Sequence, residues 1–196
     1  MCSPLHCAAY RRQPIEVLEL LLVNGASVNK GSGRHGIVPM HIIASRYNDV
    51  RAIDLLLDYG ADINALSNNG STPLHYAAYD NPLMVTFLID NGASTNIKNS
   101  EGKLFIHIAA SGGSIGSIKI AIDHGLSINA RDNNRQTPLY DAIYNNKINT
   151  VIYLLANGAD HRVRGIGMIS PMDMAVSLNN STIVDILRSM DSITYI

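Results

Sequence analysis

Several residue types are scarce in this sequence, and their scarcity limits what the protein can be. It contains no tryptophan, two phenylalanines and two cysteines, Cys2 and Cys7. Two cysteines are too few for a disulfide framework and lack the C-x-x-C spacing of a redox or zinc site, so they are typical of free thiols in a reducing compartment. The start of the chain lacks the basic segment and apolar core of a signal peptide, and no apolar run approaches the ~20 residues that span a bilayer. We therefore expect a protein of the cytoplasm or nucleus with no membrane partner.

Charge is also scarce and evenly balanced. Charged residues make up 16% of the chain, against about 25% in ordinary globular domains. The 15 Lys and Arg nearly cancel the 16 Asp and Glu, and no run of five like charges occurs. Such a balance argues against nucleic acid as a partner. Because 46% of the residues are hydrophobic, the chain is expected to fold around a core rather than remain disordered.

A sequence motif of the form T-P-L-H-x-A recurs along the chain. Its proline position is occupied, in order, by Pro4, Pro39, Pro73, Phe105, Pro138 and Pro171. The steps between these positions are 35, 34, 32, 33 and 33 residues. A later glycine recurs independently as Gly25, Gly60, Gly92, Gly125 and Gly158, with steps of 35, 32, 33 and 33 residues. Two separate markers therefore give one period near 33 residues.

Each repeat predicts a pair of helices. Proline fits the first turn of a helix, where its missing N–H would have no partner, so the motif at Thr72–Pro73 marks a helix start. Leu74, Ala77 and Ala78 then form one apolar stripe, and Gly92 ends a second apolar helix. Such a unit cannot bury both stripes alone and must stack on its neighbours.

The period and the T-P-L-H-x-A motif resemble those of the ankyrin repeat family over nearly the whole chain. The resemblance implies an all-α solenoid of about six helix-turn-helix units with β-hairpin loops, forming a single domain over residues 1–196. The units are expected at about 1–31, 32–66, 67–98, 99–131, 132–164 and 165–196, the first of them truncated. Phe105 in place of proline, together with the glycines of residues 111–116, predicts that the fourth unit is the least stable.

The histidines and glycines do not indicate an enzyme. His6, His41, His75 and His107 share one repeat position, where the resemblance implies that the imidazole bridges backbone groups of neighbouring loops. Histidines one repeat apart do not converge on one metal ion. The glycine-rich segments at residues 31–36 and 111–116 lack the lysine and the preceding strand of a phosphate-binding loop. We therefore predict no catalytic residue, no metal, no cofactor and no small-molecule substrate.

The resemblance also implies where a protein partner would bind, because ankyrin repeats present their loop tips and first helices as a concave face. Six residues after each proline position stand Tyr10, Ser45, Tyr79, Ser111, Tyr144 and Ser177. The three tyrosines are either recognition residues, a role that tyrosine commonly fills, or structural rings packed on the next loop. The tip side chains vary, and we expect one such as Asn68 to be replaceable at little cost in stability. The predicted partner-binding residues are Tyr10, Arg34, His35, Asn68, Asn69, Tyr79, Glu101, Lys103, Asn133, Asn134 and Tyr144.

Segments such as "LLLDYGADIN" and "NNKINTVIYLLANGAD", with their abundant Ile and Asn, resemble the ankyrin proteins of poxviruses. That resemblance implies capture of a host protein in the host cytoplasm or nucleus, with host-range control or blunting of innate signalling of the NF-κB type. Members of that viral family commonly end in an F-box-like segment, which we do not find in this sequence. The alternative is a truncated or vestigial array that folds but has no partner of its own.

Overall fold

The repeated motif starts helices because its residues cap the helix N-terminus locally. The structure, a computed structural model, describes the backbone of residues 3–193 and the side chains of residues 3–190. Thr72 precedes the first turn of its helix, and its hydroxyl accepts a hydrogen bond from the backbone N–H of His75. Ser3 and Ser170 cap their helices in the same way. A hydroxyl acceptor followed by proline leaves fewer unpaired backbone N–H groups in the first turn, which is why the motif marks the helix boundary.

Residues 3–193 form twelve α-helices arranged as six pairs. The first helices of the pairs are α1 (Pro4–Tyr10), α3 (Pro39–Arg46), α5 (Pro73–Ala78), α7 (Phe105–Gly112), α9 (Pro138–Tyr144) and α11 (Pro171–Ser177). The second helices are α2 (Ile15–Val23), α4 (Arg51–Asp58), α6 (Pro82–Asp90), α8 (Ile115–Asp123), α10 (Ile148–Ala156) and α12 (Ser181–Ile193). A short 3-10 turn spans Ile166–Met168. The predicted all-α repeat array is confirmed.

The pairs stack so that the main contacts between units, within the described residues, join neighbours in sequence. First helices pack on first helices along the whole row, and second helices pack on second helices more loosely. Alanines such as Ala77, Ala78, Ala109 and Ala110 are fully buried between the first helices. Because short side chains let helices approach closely, the row of first helices is the tighter one. We call the exposed side of the first helices, together with the loop tips, the concave face.

The loops between pairs are tight turns rather than regular strands. Within residues 3–193 the β structure consists of a single antiparallel bridge, between Ser32 and Ile37. The other tips close with a hydrogen bond between residues four apart, such as Ser67 N–H to Ser71 O and Asn99 N–H to Lys103 O, both 3.0 Å. The Ser32–Ile37 bridge spans one residue more, because the loop of the second unit is one residue longer.

The fourth unit forms its helix pair despite its departures from the pattern, and its lower stability stays a prediction. Phe105 replaces the helix-starting proline and is fully buried in the core. A Cβ at Gly112 would overlap the carbonyl oxygen of Tyr79, and one at Gly116 would lie 2.9 Å from the Pro82 ring. These glycines therefore permit close packing on the third unit. No helix within the described residues has the length and apolar character needed to cross a membrane.

The stacked core predicts a sharp contrast between two leucine truncations. Leu74 is 1% exposed, whereas Leu83, at the start of α6, is 60% exposed. We expect Leu74→Ala to lower the free energy of unfolding by about 2–5 kcal/mol, because it leaves a cavity, and Leu83→Ala to change it by less than about 0.5 kcal/mol. Urea midpoints of both variants measure this difference. Equal losses would show that the inner and outer sides of the helix pairs are wrongly assigned.

Candidate functional site

Four histidines build the frame that carries the loop tips. The Nε2 atoms of His6, His41, His75 and His107 lie 2.9, 2.9, 3.0 and 3.1 Å from the carbonyl oxygens of Ile37, Ser71, Lys103 and Ala130, respectively. In His41, His75 and His107, which belong to the second, third and fourth units, Nδ1 accepts from the backbone N–H at the start of the same helix, at 3.1–3.2 Å. Since Nδ1 accepts, Nε2 must carry the proton and donate to the carbonyl. The acceptors of His41 and His75 belong to the next unit, whereas the acceptor of His107, Ala130, lies at the end of the fourth unit. The predicted bridging role of these histidines is confirmed.

The fifth unit makes the same link with a different group. Tyr140 stands where the histidine would be, and its hydroxyl accepts from the backbone N–H of Gly165 in the sixth unit at 3.3 Å. Tyr140 is 1% exposed. In the sixth unit Asp173 takes this position and caps its own helix through Ser170. A link from the first helix to the following tip is therefore made in the first, second, third and fifth units, and His107 of the fourth unit bonds to Ala130, just before the tip.

Backbone hydrogen bonds also join neighbouring tips directly. Asn68 N–H donates to His35 O at 2.8 Å, and Ser100 N–H donates to Asn69 O at 2.8 Å. Asn133 N–H donates to Glu101 O at 2.9 Å, and the row ends with Ile166 N–H on Asn134 O at 2.8 Å. The tips thus form a continuous edge in which these backbone groups are hydrogen-bonded within the chain. A partner would therefore contact the side chains of the tips.

Two of the predicted tip residues have a structural role as well. The Nδ2 atom of Asn68 donates to Arg34 O, and that of Asn133 donates to Ser100 O, each at 3.0 Å. Both side chains hold the neighbouring tip. The expectation that Asn68 can be replaced at little cost does not fit these contacts, since losing such a bond costs about 0.5–1.5 kcal/mol.

Lys103 turns back from its tip rather than extending into solvent. Its ammonium lies 2.8 Å from Asp141 Oδ1 and 3.4 Å from Glu101 Oε2, and its side chain is 18% exposed. Burial disfavours the charge on Lys103, but the carboxylates outweigh burial and raise its pKa. Burial raises the pKa of Asp141 to about 6, because the ammonium only partly offsets desolvation. Lys103 therefore serves an ion pair between units.

The remaining predicted tip side chains are exposed. They are Arg34, His35, Asn69, Glu101 and Asn134. Asn69 also closes its own turn, since its Oδ1 accepts from Ser67 Oγ at 2.6 Å. The tips together present no common charge or apolar character.

The three tyrosines of the concave face differ in their surroundings. Tyr10, Tyr79 and Tyr144 are 61%, 48% and 65% exposed, so none of them is a buried packing residue. The Arg46 guanidinium lies over the ring of Tyr10, 4.5 Å from its centroid. The tyrosines are separated by two units each, so with helices about 10 Å apart they lie roughly 20 Å from one another.

A groove of about 440 Å³ lies around Tyr79 on this face. Its wall includes His75 together with Ser45, Ser71, Tyr76, Tyr79, Asp80 and Ile108. The walls are mostly apolar, and His41 supports Tyr76 from below by an edge-on ring contact at 5.0 Å. Among the described residues no group of three or more His, Cys, Asp or Glu side chains could hold a metal ion. The groove is suited to a side chain of a partner rather than to an ion.

Sequence reasoning had not singled out Tyr76, Ile108 and Asp80. Tyr76 and Ile108 stand three residues after the proline position, where the six units carry Cys7, Ile42, Tyr76, Ile108, Asp141 and Met174. That variation, within an otherwise uniform motif, was a usable signal of a position outside the repeated core contacts. Asp80 directly follows Tyr79 and belongs to the same wall.

Comparisons with known proteins agree with this architecture. The family model described as ankyrin repeats (3 copies) matches residues 5–99 and 79–164. An alpha-latrocrustotoxin of Latrodectus tredecimguttatus is 28% identical over 106 residues, which is 54% of this chain and 8% of the toxin. An ankyrin repeat protein of Acanthamoeba polyphaga mimivirus is 32% identical over 73 residues, 37% of this chain and 10% of that protein. The matches thus span about a tenth or less of these relatives' length.

The buried histidines and Asp141 predict opposite effects of pH on stability. Burial lowers the pKa of His107 to about 4 and lowers those of His6, His41 and His75. Between pH 4 and the usual value of 6.5 the unfolded chain holds a proton at His107 that the folded chain lacks. The stability from His107, of the order of 3 kcal/mol, is therefore complete above pH 6.5 and lost on acidification. For Asp141 the folded chain holds the extra proton between pH 3.8 and about 6, so acidification favours folding.

We expect His107→Gln to reduce the loss of stability on acidification relative to the parent chain, because glutamine does not titrate. Asp141→Asn should increase that loss, because it removes the opposing group. Free energies of unfolding between about pH 4.5 and 7.5 for the three proteins give the slopes. Parallel slopes would mean that neither group has the altered pKa described here.

Proposed function

Because the chain belongs to the ankyrin repeat family, we propose that it binds another protein across its concave face. Ankyrin repeats generally mediate protein–protein interaction, and the family is a non-enzymatic interaction module. The observation that carries the proposal is the groove around Tyr79, flanked along the same face by the exposed rings of Tyr10 and Tyr144. Aromatic rings that are exposed and held on a rigid frame supply much of the energy of protein interfaces.

The distribution of polar groups supports a protein partner rather than a charged polymer. The exposed tips carry Arg34, His35, Asn69, Glu101 and Asn134, which are mixed in charge and hydrogen-bonding character. Lys103, a cation that would face the partner, is neutralised by Asp141 and Glu101. A partner that meets this face must therefore present apolar, polar and charged groups in one surface, as a folded protein or an extended segment does.

The partner is proposed to be a host protein, and the chain a viral modulator of host range or of innate signalling of the NF-κB type. Support comes from the similarity to a mimivirus ankyrin repeat protein and from the Ile- and Asn-rich repeats that resemble poxvirus ankyrin proteins. Under this proposal the chain acts in the host cytoplasm or nucleus. A vestigial array without a partner is the alternative, and the experiment below separates the two.

We predict that Tyr79→Ala and Tyr144→Ala each weaken a protein partner by about 1–3 kcal/mol, because each removes an exposed aromatic anchor from the concave face. Affinity capture from host-cell lysate identifies proteins that bind the parent chain, and titration with the captured protein gives the affinities. Tyr59→Ala is the matched control, since Tyr59 follows α4, away from the concave face, and is 41% exposed.

Thermal midpoints accompany each affinity, so that loss of binding is separated from loss of fold. The proposal requires proteins that are retained by Tyr59→Ala and lost from the double variant of Tyr79 and Tyr144. A set of captured proteins unchanged by the double variant would place the binding surface elsewhere. Capture of chaperones alone would favour the vestigial array.

A further inference from the structure

The first two units show how this chain covers an exposed tyrosine ring. Tyr10 stands six residues after its proline position, and Arg46 stands seven residues after the next one. The Arg46 guanidinium lies 4.5 Å from the centroid of the Tyr10 ring. A guanidinium over the face of a tyrosine is attracted by the ring's quadrupole and stacks on it. The boundary between units one and two is thus a cation-on-ring contact made within the chain.

The equivalent positions two units later lack the cation. Tyr79 stands six residues after Pro73, and the residue seven positions after Phe105 is Gly112. Gly112 has no side chain to lay over the ring, and the overlap of a Cβ with the carbonyl oxygen of Tyr79 forbids one there. Tyr79 consequently keeps an open surface, 48% exposed, on the wall of the groove. The third tyrosine, Tyr144, is instead followed in the next unit by the apolar Leu178.

The groove beside Tyr79 is acidic as well as aromatic. Of the seven residues that line it, Asp80 alone has an acidic side chain, while burial lowers the pKa of His75, whose Nε2 donates to Lys103 O. Asp80 is exposed. Tyr76 and Ile108 supply apolar walls that suit the methylene groups of a long side chain. An exposed ring and a carboxylate that forms no ion pair with the described residues therefore line one groove.

We propose that this groove binds an arginine side chain of the protein partner. The guanidinium lies over the Tyr79 ring, as the Arg46 guanidinium lies over Tyr10, and its N–H groups donate to the Asp80 carboxylate. Arginine suits the groove better than lysine, because its guanidinium is planar, weakly hydrated and able to donate two parallel hydrogen bonds to a carboxylate. The inference rests on the proposed function, since it names the chemistry by which the concave face recognises its partner.

The test uses a five-residue peptide with a central arginine flanked by glycines, and the same peptide with citrulline, which has nearly the same shape but no charge. Titration of the isotope-labelled chain, followed by amide NMR shifts, gives the affinity and the position of each peptide. We expect saturable shifts at Tyr79, Asp80 and Gly112 with the arginine peptide, and binding of the citrulline peptide at least about fivefold weaker.

Four variants make the result specific. Asp80→Asn should remove most of the preference for arginine over citrulline, and Tyr79→Ala should abolish saturable binding. Tyr79→Phe should retain binding because the ring remains, and Tyr59→Ala, the matched control away from the concave face, should leave it unchanged. Equal binding of both peptides, shifts centred away from Tyr79, or no saturable binding of the arginine peptide would each overturn the inference.

The failure of this inference is distinguishable from failure of the proposed function. A captured partner that depends on Tyr79 and Tyr144 but binds Asp80→Asn as tightly as the parent chain would leave the function standing and reject the arginine. A partner weakened at least about fivefold by Asp80→Asn, with the thermal midpoint unchanged, would support the arginine.

Discussion

The fold depends on a buried neutral imidazole at each of the first four unit boundaries. His41 illustrates the contact, since its imidazole accepts from the start of its own helix and donates to the tip of the next unit, so one side chain joins two neighbouring units. The arrangement is possible only while the ring is neutral, because a protonated Nδ1 could no longer accept. Burial of His107 secures that state by lowering its pKa to about 4. The fifth unit shows that the requirement is the link itself, since Tyr140 makes it with a hydroxyl acceptor.

The same constraint separates positions that must repeat from positions that are free to vary. Leucines and alanines that face neighbouring units are buried in the same register along the array, as Leu74 and Ala78 illustrate. Partly exposed positions of the first helices carry unlike residues, among them Tyr76 and Ile108. In a quasi-one-dimensional array stability comes from the repeated interfaces, so the variable face can change without loss of the fold. That division of labour allows one face to be specialised for a partner.

The regular features could be predicted from the sequence, because they follow from local rules. The prolines mark helix starts, the glycines mark helix ends, and the shared histidine position predicts a shared contact. The irregular features could not, because they depend on which side chains meet across units. Lys103 has the sequence position of a free tip residue, yet its ammonium pairs with Asp141, 38 residues away. Asn68 has the composition of a solvated loop, yet it holds the preceding tip. Residues of three units line the groove around Tyr79, so no single copy of the motif indicates it.

Under the proposed function, this array binds a protein through its concave face. The most direct measurement is light-induced crosslinking in host cells, with benzoylphenylalanine placed once at Tyr79 and once at Tyr59. Both sites are exposed tyrosines, so the substitution disturbs the two positions to a similar extent. The account predicts a discrete crosslinked protein from the Tyr79 position and none of that species from the Tyr59 position. Crosslinking to a discrete protein at Tyr59 with none at Tyr79, or none at either site, would contradict it.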